Sequence, residues 1–163
     1  DETVPSLSRV KEKGQPLPQA LMHFFIESYV RAREGYAAGD YARNYNFIRA
    51  QSDDLAFQAY LATYDKANPQ SPAAILGSSA QRLVRVHSIT VDESKDPKIA
   101  NVAFSTEIEG RDLPSRTNWT ATLQFVYTDL VMAESVDPKT GETQQITEDP
   151  QFKVVDYVLT KAL

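Results

Sequence analysis

The chain has 163 residues, with 22 acidic and 17 basic side chains that give a formal net charge of -5, and it contains no cysteine. This acidic balance disfavours direct binding of nucleic acid, because contacts to phosphates need a basic surface. The absence of cysteine excludes disulfide bonds, thiolate catalysis and cysteine-ligated zinc. No run of about 18 apolar residues occurs, so the sequence predicts no transmembrane segment within this chain.

The length predicts a single domain whose core is large enough to be stable without covalent cross-links. Residues 1–16 are mostly polar and are expected to form a leader segment, which leaves residues 17–163 as the domain. Because the sequence opens at Asp1 without an initiator methionine or a signal peptide, we expect a processed protein or a fragment of a longer one.

The first predicted element is a long helix from about Leu17 to about Ala38, with Gly39 as its left-handed stop. Apolar residues recur at spacings of three, four and seven, which is the period of a helix with one buried face. That face carries Met22, Phe25, Ile26, Tyr29, Val30 and Tyr36. The opposite face carries Glu27, Arg31 and Glu34, which we expect to be solvated.

Three shorter helical segments are predicted to follow. Asp40 is the expected N-cap of a helix over residues 41–50, and Ser52 is the expected N-cap of a third helix. Ser71-Pro72 then predicts a short helical turn that Gly77 ends, because proline suits the first turn of a helix and glycine its exit.

From residue 83 onwards the period changes to two, which is typical of strands. We predict strands over residues 83–91, 99–109, 116–127 and 152–159, with residues 130–132 prolonging the third. The segment 137–150 is polar, acidic and rich in turn residues, and is expected to be a long loop or an extended hairpin tip.

Alternation of side chains is clearest in the third strand. One face is predicted to carry Trp119, Ala121, Leu123, Phe125 and Tyr127. In the last strand, Phe152 and Val154 are assigned to one face, and Val155, Tyr157 and Leu159 to the other. Helices first and strands second indicate an α+β fold, in which a long helix and shorter helices pack on a curved antiparallel sheet of about four strands.

No convincing catalytic, cofactor-binding or metal-binding set is present. His23 and His87 are far apart and lack a metal-ligand spacing, and G-x-S-x-G does not occur. Asp129 and Asp156 could in principle form an acid–base pair, but solvated carboxylates are the simpler interpretation. The basic residues at strand ends are interpreted as solvated charges; they are Arg82, Arg85, Arg111 and Arg116.

Residues 29–36, which read Y-V-R-A-R-E-G-Y, resemble the first-helix signature of the VirB8 family, the bitopic inner-membrane components of bacterial type IV secretion systems. The resemblance continues through the tyrosine-rich segment 40–52, Ser71-Pro72 with Gly77, W-T-A-T at residues 119–122, and P-x-F-x-V-x-x-Y at residues 150–157. It therefore covers nearly the whole chain in the expected order. One departure is the family's N-P-x-G-F turn, which here reads D-P-Q-F without the glycine.

The resemblance implies a nuclear-transport-factor-two-like cone that forms a periplasmic domain, tethered to the inner membrane by a transmembrane helix absent from this chain. It also implies a non-enzymatic assembly factor without a cofactor, which forms a weak homodimer and contacts other type IV secretion components. On this resemblance, the candidate interface residues are Tyr29, Arg33, Tyr36, Pro150, Phe152 and Tyr157.

Two alternatives of the same fold remain open. One is an isomerase-like or dehydratase-like enzyme that uses a pocket base such as His87 or Asp156. The other is a non-catalytic module that binds a small molecule. Either would need a cavity of several hundred cubic ångströms with converging polar groups inside the cone, whereas a scaffold would fill the cone with its own side chains.

Overall fold

The computed structural model describes residues 6–9, 18–65, 67–110, 115–127, 131–148 and 151–162. The helices in these ranges are α1 (Gln19–Glu34), α2 (Tyr41–Gln51), α3 (Asp54–Tyr64) and α4 (Pro72–Leu76), with a 3₁₀ turn at Ala38–Asp40. The strands are β1 (Ser6–Arg9), β2 (Gln81–Asp92), β3 (Lys98–Glu109), β4 (Ser115–Tyr127), β5 (Val131–Val136), β6 (Thr143–Glu148) and β7 (Phe152–Lys161). No helix in these ranges is long and apolar enough to span a membrane.

Four strands form an antiparallel sheet in the order β2-β3-β4-β7, and the helices pack on it. The predicted α+β arrangement is confirmed. The core lies between α1 and this sheet, where apolar side chains from both are removed from water. Its largest fully buried side chains are Tyr29, Tyr60, Phe104, Phe125, Met22, Ile26, Ile48 and Leu123.

The alternation predicted for the third strand is confirmed in β4. Ala121, Leu123 and Phe125 are each 0% exposed, and the flanking Trp119 and Tyr127 pack against the same core. The indole of Trp119 also donates a hydrogen bond to Oγ1 of Thr106 on β3 over 3.0 Å. The partly exposed edge of the ring therefore has a polar partner.

A bulge in β7 changes the face on which Tyr157 lies. Phe125 pairs with Val154, but Leu123 pairs with Tyr157, so β7 contains one extra residue between these pairs. Such an insertion reverses the alternation beyond it. The expectation that Tyr157 faces away from Val154 is therefore wrong. The backbone N–H of Asp53 donates to the carbonyl of Val154 over 2.9 Å, which ties the start of α3 to the bulge.

Helix α1 ends four residues earlier than predicted. It stops at Glu34, Gly35 is extended at φ -73° and ψ 150°, and Gly39 lies within the 3₁₀ turn. The predicted stop at Gly39 is wrong because Tyr36 leaves the helix to pair with β2. The two backbone hydrogen bonds between Tyr36 and Arg82 measure 3.0 and 2.8 Å.

The short helices are close to their predicted ranges, but two caps differ. Asp53, not Ser52, caps α3, and its Oδ1 accepts from the N–H of Ala56 over 2.9 Å. Asp40 stands at the N-cap position of α2, but its carboxylate makes no capping bond and contacts Arg43 at 3.2 Å instead.

The start and end of α4 follow the prediction. Oγ of Ser71 accepts from the N–H of Ala74 over 3.2 Å, and Gly77 ends the helix at φ 62°. The positive φ is the reason that a glycine suits this position.

A second antiparallel sheet has the order β1-β5-β6. Residues 131 and 132 start β5 in this sheet, so the expectation that they prolong the third strand is wrong. The hairpin alternative for the acidic segment is confirmed, because residues 137–142 connect β5 to β6; residues 149 and 150 lie outside the described ranges. Strand β1 falls within the predicted leader segment and pairs with β5 along its four residues.

Candidate functional site

Tyr29 and Arg33 lie together in the interior, one turn apart on α1, where side chains four residues apart share a face. The ring of Tyr29 is 0% exposed, and its hydroxyl shares a 2.7 Å hydrogen bond with Oγ of Ser52. Nη1 of Arg33 donates to the same hydroxyl over 2.8 Å and to the carbonyl of Ala56 over 3.3 Å. These bonds connect α1 to the start of α3.

Aromatic rings surround the guanidinium of Arg33. Its Cζ lies 4.1 Å from the ring centroid of Tyr157, 5.7 Å from that of Tyr60 and 5.9 Å from that of Tyr29. Arg33 is only 7% exposed, and a cation over desolvated aromatic rings gains about 2 kcal/mol. The rings therefore offset part of the cost of burying this charge.

Glu34, beside Arg33 in the sequence, is 9% exposed, so the expectation of a solvated side chain is wrong. Its Oε2 accepts a 2.6 Å hydrogen bond from the hydroxyl of Tyr157. Nε of Arg82 donates to the backbone carbonyl of Glu34 over 2.6 Å, and Nη2 of Arg82 lies 4.0 Å from Oε1. Burial raises the pKa of Tyr157 well above 10.0, and the negative charge of Glu34 raises it further.

Tyr36 and Phe152, two other interface candidates, are also buried, at 8% and 2% exposed. The hydroxyl of Tyr36 donates to the carbonyl of Gly77 over 2.6 Å. The ring of Phe152 stacks on Phe25 at 5.4 Å and meets Phe125 at 5.2 Å between centroids. Both side chains pack within the fold.

The structure thus brings three of the six candidates together: Tyr29, Arg33 and Tyr157. The other two described candidates lie in separate parts of the core, and Pro150 lies outside the described ranges. Their role in an interface stays a prediction. Because four of these side chains are buried in the single chain, their contribution would be to hold the shape of a surface.

Three members of this network were not recognised as such in the sequence: Glu34, Arg82 and Ser52. The burial of Glu34 has a signal in the sequence, because Glu34 continues the four-residue spacing of Ile26 and Val30 on the buried face of α1. No local pattern predicts the roles of Arg82 and Ser52, since their partners lie 48 and 23 residues away in the sequence.

A groove of about 640 Å³ lies between the C-terminal half of α1, α2 and the edge strand β2. We call it the arginine groove, because Arg31, Arg43, Arg82 and Arg85 line it, together with the apolar ring of Phe47. None of the fully buried side chains of the main core lines it. The groove is therefore separate from the packed interior.

The two histidines line one shallow cleft of about 410 Å³ between α1 and β2, together with Glu27. Nε2 of His87 lies 3.0 Å from Oγ of Ser105 and shares a hydrogen bond with it. Within the described part of the chain, no group of three or more histidine or acidic side chains could hold a metal ion. Asp156 on β7 pairs with Gln124 on β4 and does not line this cleft, and Asp129 lies outside the described ranges.

Solved structures share this architecture. The Agrobacterium tumefaciens VirB8 protein aligns with a TM-score of 0.68 at 20% identity, covering 92% of this chain and 98% of that one. A TraE protein in complex with 2-(2-furyl)isonicotinic acid aligns with a TM-score of 0.68 at 16% identity, covering 91% of this chain and all of that one. The fold is thus the α+β cone of the nuclear-transport-factor-two-like class.

The sequence comparison is more specific. The family model described as VirB8 protein matches residues 2–137, and the chain belongs to the VirB8 family. The type IV secretion system protein virB8 of Bartonella henselae is 24% identical over 151 residues, covering 91% of this chain and 63% of that protein. Protein virB8 of Agrobacterium fabrum is 29% identical over 126 residues, covering 77% of this chain and 52% of that protein. The chain thus spans between about half and just under two thirds of the length of these relatives.

Proposed function

We propose that this domain is a non-enzymatic scaffold of a type IV secretion system, acting through self-association and contacts with other components. The observation that carries this proposal is the filled interior of the cone, where tyrosine, phenylalanine and aliphatic side chains are fully buried. A catalytic member of this fold class would need a cavity among those side chains. The clefts described above open outside the core, and the one that holds His87 is shallow.

We further propose that residues 17–163 form a periplasmic domain and that residues 1–16 are membrane-proximal. In this arrangement, the transmembrane helix that tethers the domain to the inner membrane is not part of this chain. Support comes from family membership and from the greater length of the relatives.

The buried network around Arg33 has a structural role in this proposal. It fixes the end of α1 against α3 and β7, so that the outer face of α1, where Phe24 is 63% exposed, is presented in one orientation. Large exposed apolar side chains on a rigid element are suited to protein contacts.

Sedimentation equilibrium over a wide concentration range tests the proposal. We expect reversible dimerisation that Tyr29→Phe weakens, because this change keeps the ring but removes the hydroxyl shared by Ser52 and Arg33. Tyr41→Phe, at a ring that is 38% exposed, is the matched control. A strict monomer at every concentration would exclude self-association of this domain.

A second candidate function is binding of a small aromatic carboxylic acid in the arginine groove. Relatives of the same fold include TraE protein in complex with 2-chloroisonicotinic acid, at a TM-score of 0.65. Arginine suits carboxylates because its planar guanidinium can donate two parallel hydrogen bonds. Titration calorimetry with 2-chloroisonicotinic acid should show binding that Arg85→Ala abolishes and Arg49→Ala, outside the groove, preserves. Equal binding by both variants would contradict it.

A further inference from the structure

The arginine groove is a basic surface on an acidic chain. The whole chain has a net charge of -5, yet the described lining of this groove contains four arginines against two carboxylates. The carboxylates are Asp40 and Glu107. A concave surface of one sign attracts groups of the other sign and strengthens their contacts as water is excluded. The groove is therefore suited to an anionic occupant.

Two of the four arginines are held in place but still have donors to offer. Nη1 of Arg31 donates to the carbonyl of Val84 over 2.7 Å and its Nε donates to the carboxylate of Glu27 over 3.1 Å, while Nε of Arg82 donates to the carbonyl of Glu34 over 2.6 Å. These bonds use only some of the N–H groups that each guanidinium carries. The remaining N–H groups can bind carboxylates without first breaking the bonds that position the side chain.

A complementary acidic element on the same chain is the tip of the β5–β6 hairpin. Residues 137–142 contain two acidic residues and one basic residue. At the tip, the side chains of Asp137, Lys139 and Glu142 are exposed. The hairpin belongs to the second sheet, where it pairs with β1 and not with the sheet that carries the groove.

The tip of the hairpin is a compact structure that its own hydrogen bonds define. The N–H of Asp137 donates to the carbonyl of Glu142 over 2.9 Å, and the N–H of Gly141 donates to the carbonyl of Asp137 over 2.8 Å. Gly141 has φ 71°, a conformation that favours glycine. Oδ1 of Asp137 also accepts from the N–H of Lys139 over 2.9 Å. The tip would therefore lose little conformational entropy on binding.

We propose that the arginine groove of one copy receives the hairpin tip, residues 137–142, of a second copy of this chain. The groove arginines bind the carboxylates of Asp137 and Glu142, and Lys139 of the tip meets a groove carboxylate. A volume of about 640 Å³ lies in the range of about 300–1,000 Å³ that accepts a small ligand, so the groove has room for a compact group such as a loop tip. Because each copy has one groove and one tip, two such contacts can close a symmetric dimer. This inference rests on the proposed self-association.

Charge reversal on each side tests the contact, using the 163-residue chain. The groove variant combines Arg43→Glu with Arg85→Glu, and the tip variant is Glu142→Lys. We expect each to raise the dimer dissociation constant about tenfold or more, since reversed charges repel. The controls are Arg49→Glu, outside the groove on α2, and Glu93→Lys, in the exposed β2–β3 turn; neither should change it. If the double variant does not fold, Arg85→Glu alone takes its place as the groove variant.

Mixing the two variants gives the decisive result. The groove variant keeps an intact tip and the tip variant keeps an intact groove, so an equimolar mixture can form one complete contact. We expect the mixture to associate more tightly than either variant alone, with a strength that falls as salt rises. A mixture no tighter than its components would overturn the proposal.

Other outcomes separate this inference from the proposed function. If the wild type dimerises and both variants dimerise equally well, self-association stands and its assignment to the groove and tip is wrong. If the wild type is monomeric throughout, the proposed self-association fails together with this contact. If the groove variant dimerises normally but the same substitutions in the full-length protein abolish secretion, the groove binds a different component and the second-copy assignment is overturned.

Discussion

The hydroxyl of Tyr157 donates a 2.6 Å hydrogen bond to Oε2 of Glu34, across 123 residues of sequence. The same tyrosine ring lies under the guanidinium of Arg33, 4.1 Å from its Cζ. One side chain on β7 thus contacts both members of an adjacent pair of opposite charges near the end of α1. The register of β7 and the end of α1 therefore depend on each other.

Removing the hydroxyl of Tyr157 should destabilise the fold. Tyr157→Phe leaves the ring under Arg33 but removes a donor from a largely buried carboxylate. We expect the free energy of unfolding to fall by about 2 kcal/mol, the usual value for a hydrogen bond to a charged group. Urea unfolding followed by circular dichroism measures it, with Tyr41→Phe as the control. An unchanged midpoint would show that Glu34 does not need this donor.

Replacing Arg33 with lysine should destabilise the fold. Arg33→Lys keeps the charge but loses the planar guanidinium that lies over Tyr157 and reaches both Tyr29 and Ala56. We expect a loss of about 1–3 kcal/mol in the free energy of unfolding.

A double-mutant cycle with Tyr29→Phe isolates the coupling between Arg33 and Tyr29. Each single change removes the same hydrogen bond. The losses in the free energy of unfolding of the two single variants should therefore add up to about 1 kcal/mol more than the loss in the double variant. Additive effects would mean that the 2.8 Å contact between these side chains contributes little.

The protein should lose stability in alkaline solution. Burial raises the pKa of Tyr29, Tyr60 and Tyr157 above 10.0 and that of Tyr64 to about 12. Because these phenols bind their protons more tightly in the folded state, their stabilisation is fully present below pH 10 and declines as the pH rises towards the folded-state values.

Tyrosinate absorbance and circular dichroism, recorded together during an alkaline titration, check this expectation. Ionisation of the buried tyrosines should coincide with loss of the fold. If all eight tyrosines ionise near their ordinary value while the fold persists, the assigned burial of these phenols is wrong.

Gly110 should not tolerate a side chain. It has φ 90°, and an added Cβ would clash with the backbone carbonyl of Ser79 and lie 3.0 Å from Cα of Ala80. Gly110→Ala should therefore lower the free energy of unfolding by clearly more than roughly 1 kcal/mol, the loss expected where a positive φ alone disfavours alanine. Gly141→Ala is the matched control, because φ is 71° and the space around it is open. Equal melting temperatures for the two variants would contradict the steric argument.

Local patterns in the sequence were sufficient to predict the helices, the central strands and the core. The alternation from Trp119 to Tyr127 is visible in the sequence because both faces of β4 have distinct surroundings. The short helix α4 was also predictable, since Ser71, Pro72 and Gly77 act on their own neighbours.

Features set by distant partners were not predictable in this way. The position at which α1 ends depends on the pairing of Tyr36 with Arg82. The face of the sheet on which Tyr157 lies depends on the bulge that follows Val154, whose carbonyl accepts a hydrogen bond from Asp53. For the same reason, the spacing of apolar residues indicated that Tyr29 is buried but gave no sign that Ser52 completes its hydrogen bonds.

Two of the four arginines that line the arginine groove are held in place before anything enters it. Arg31 is bound to a carbonyl of β2, Arg82 is bound to a carbonyl at the end of α1, and the pairing of Tyr36 with β2 closes the corner between them. Two flexible side chains have thus already lost most of their rotamer freedom when the protein folds. An occupant of the groove would benefit from this preorganisation, because little ordering of the receptor would have to accompany binding.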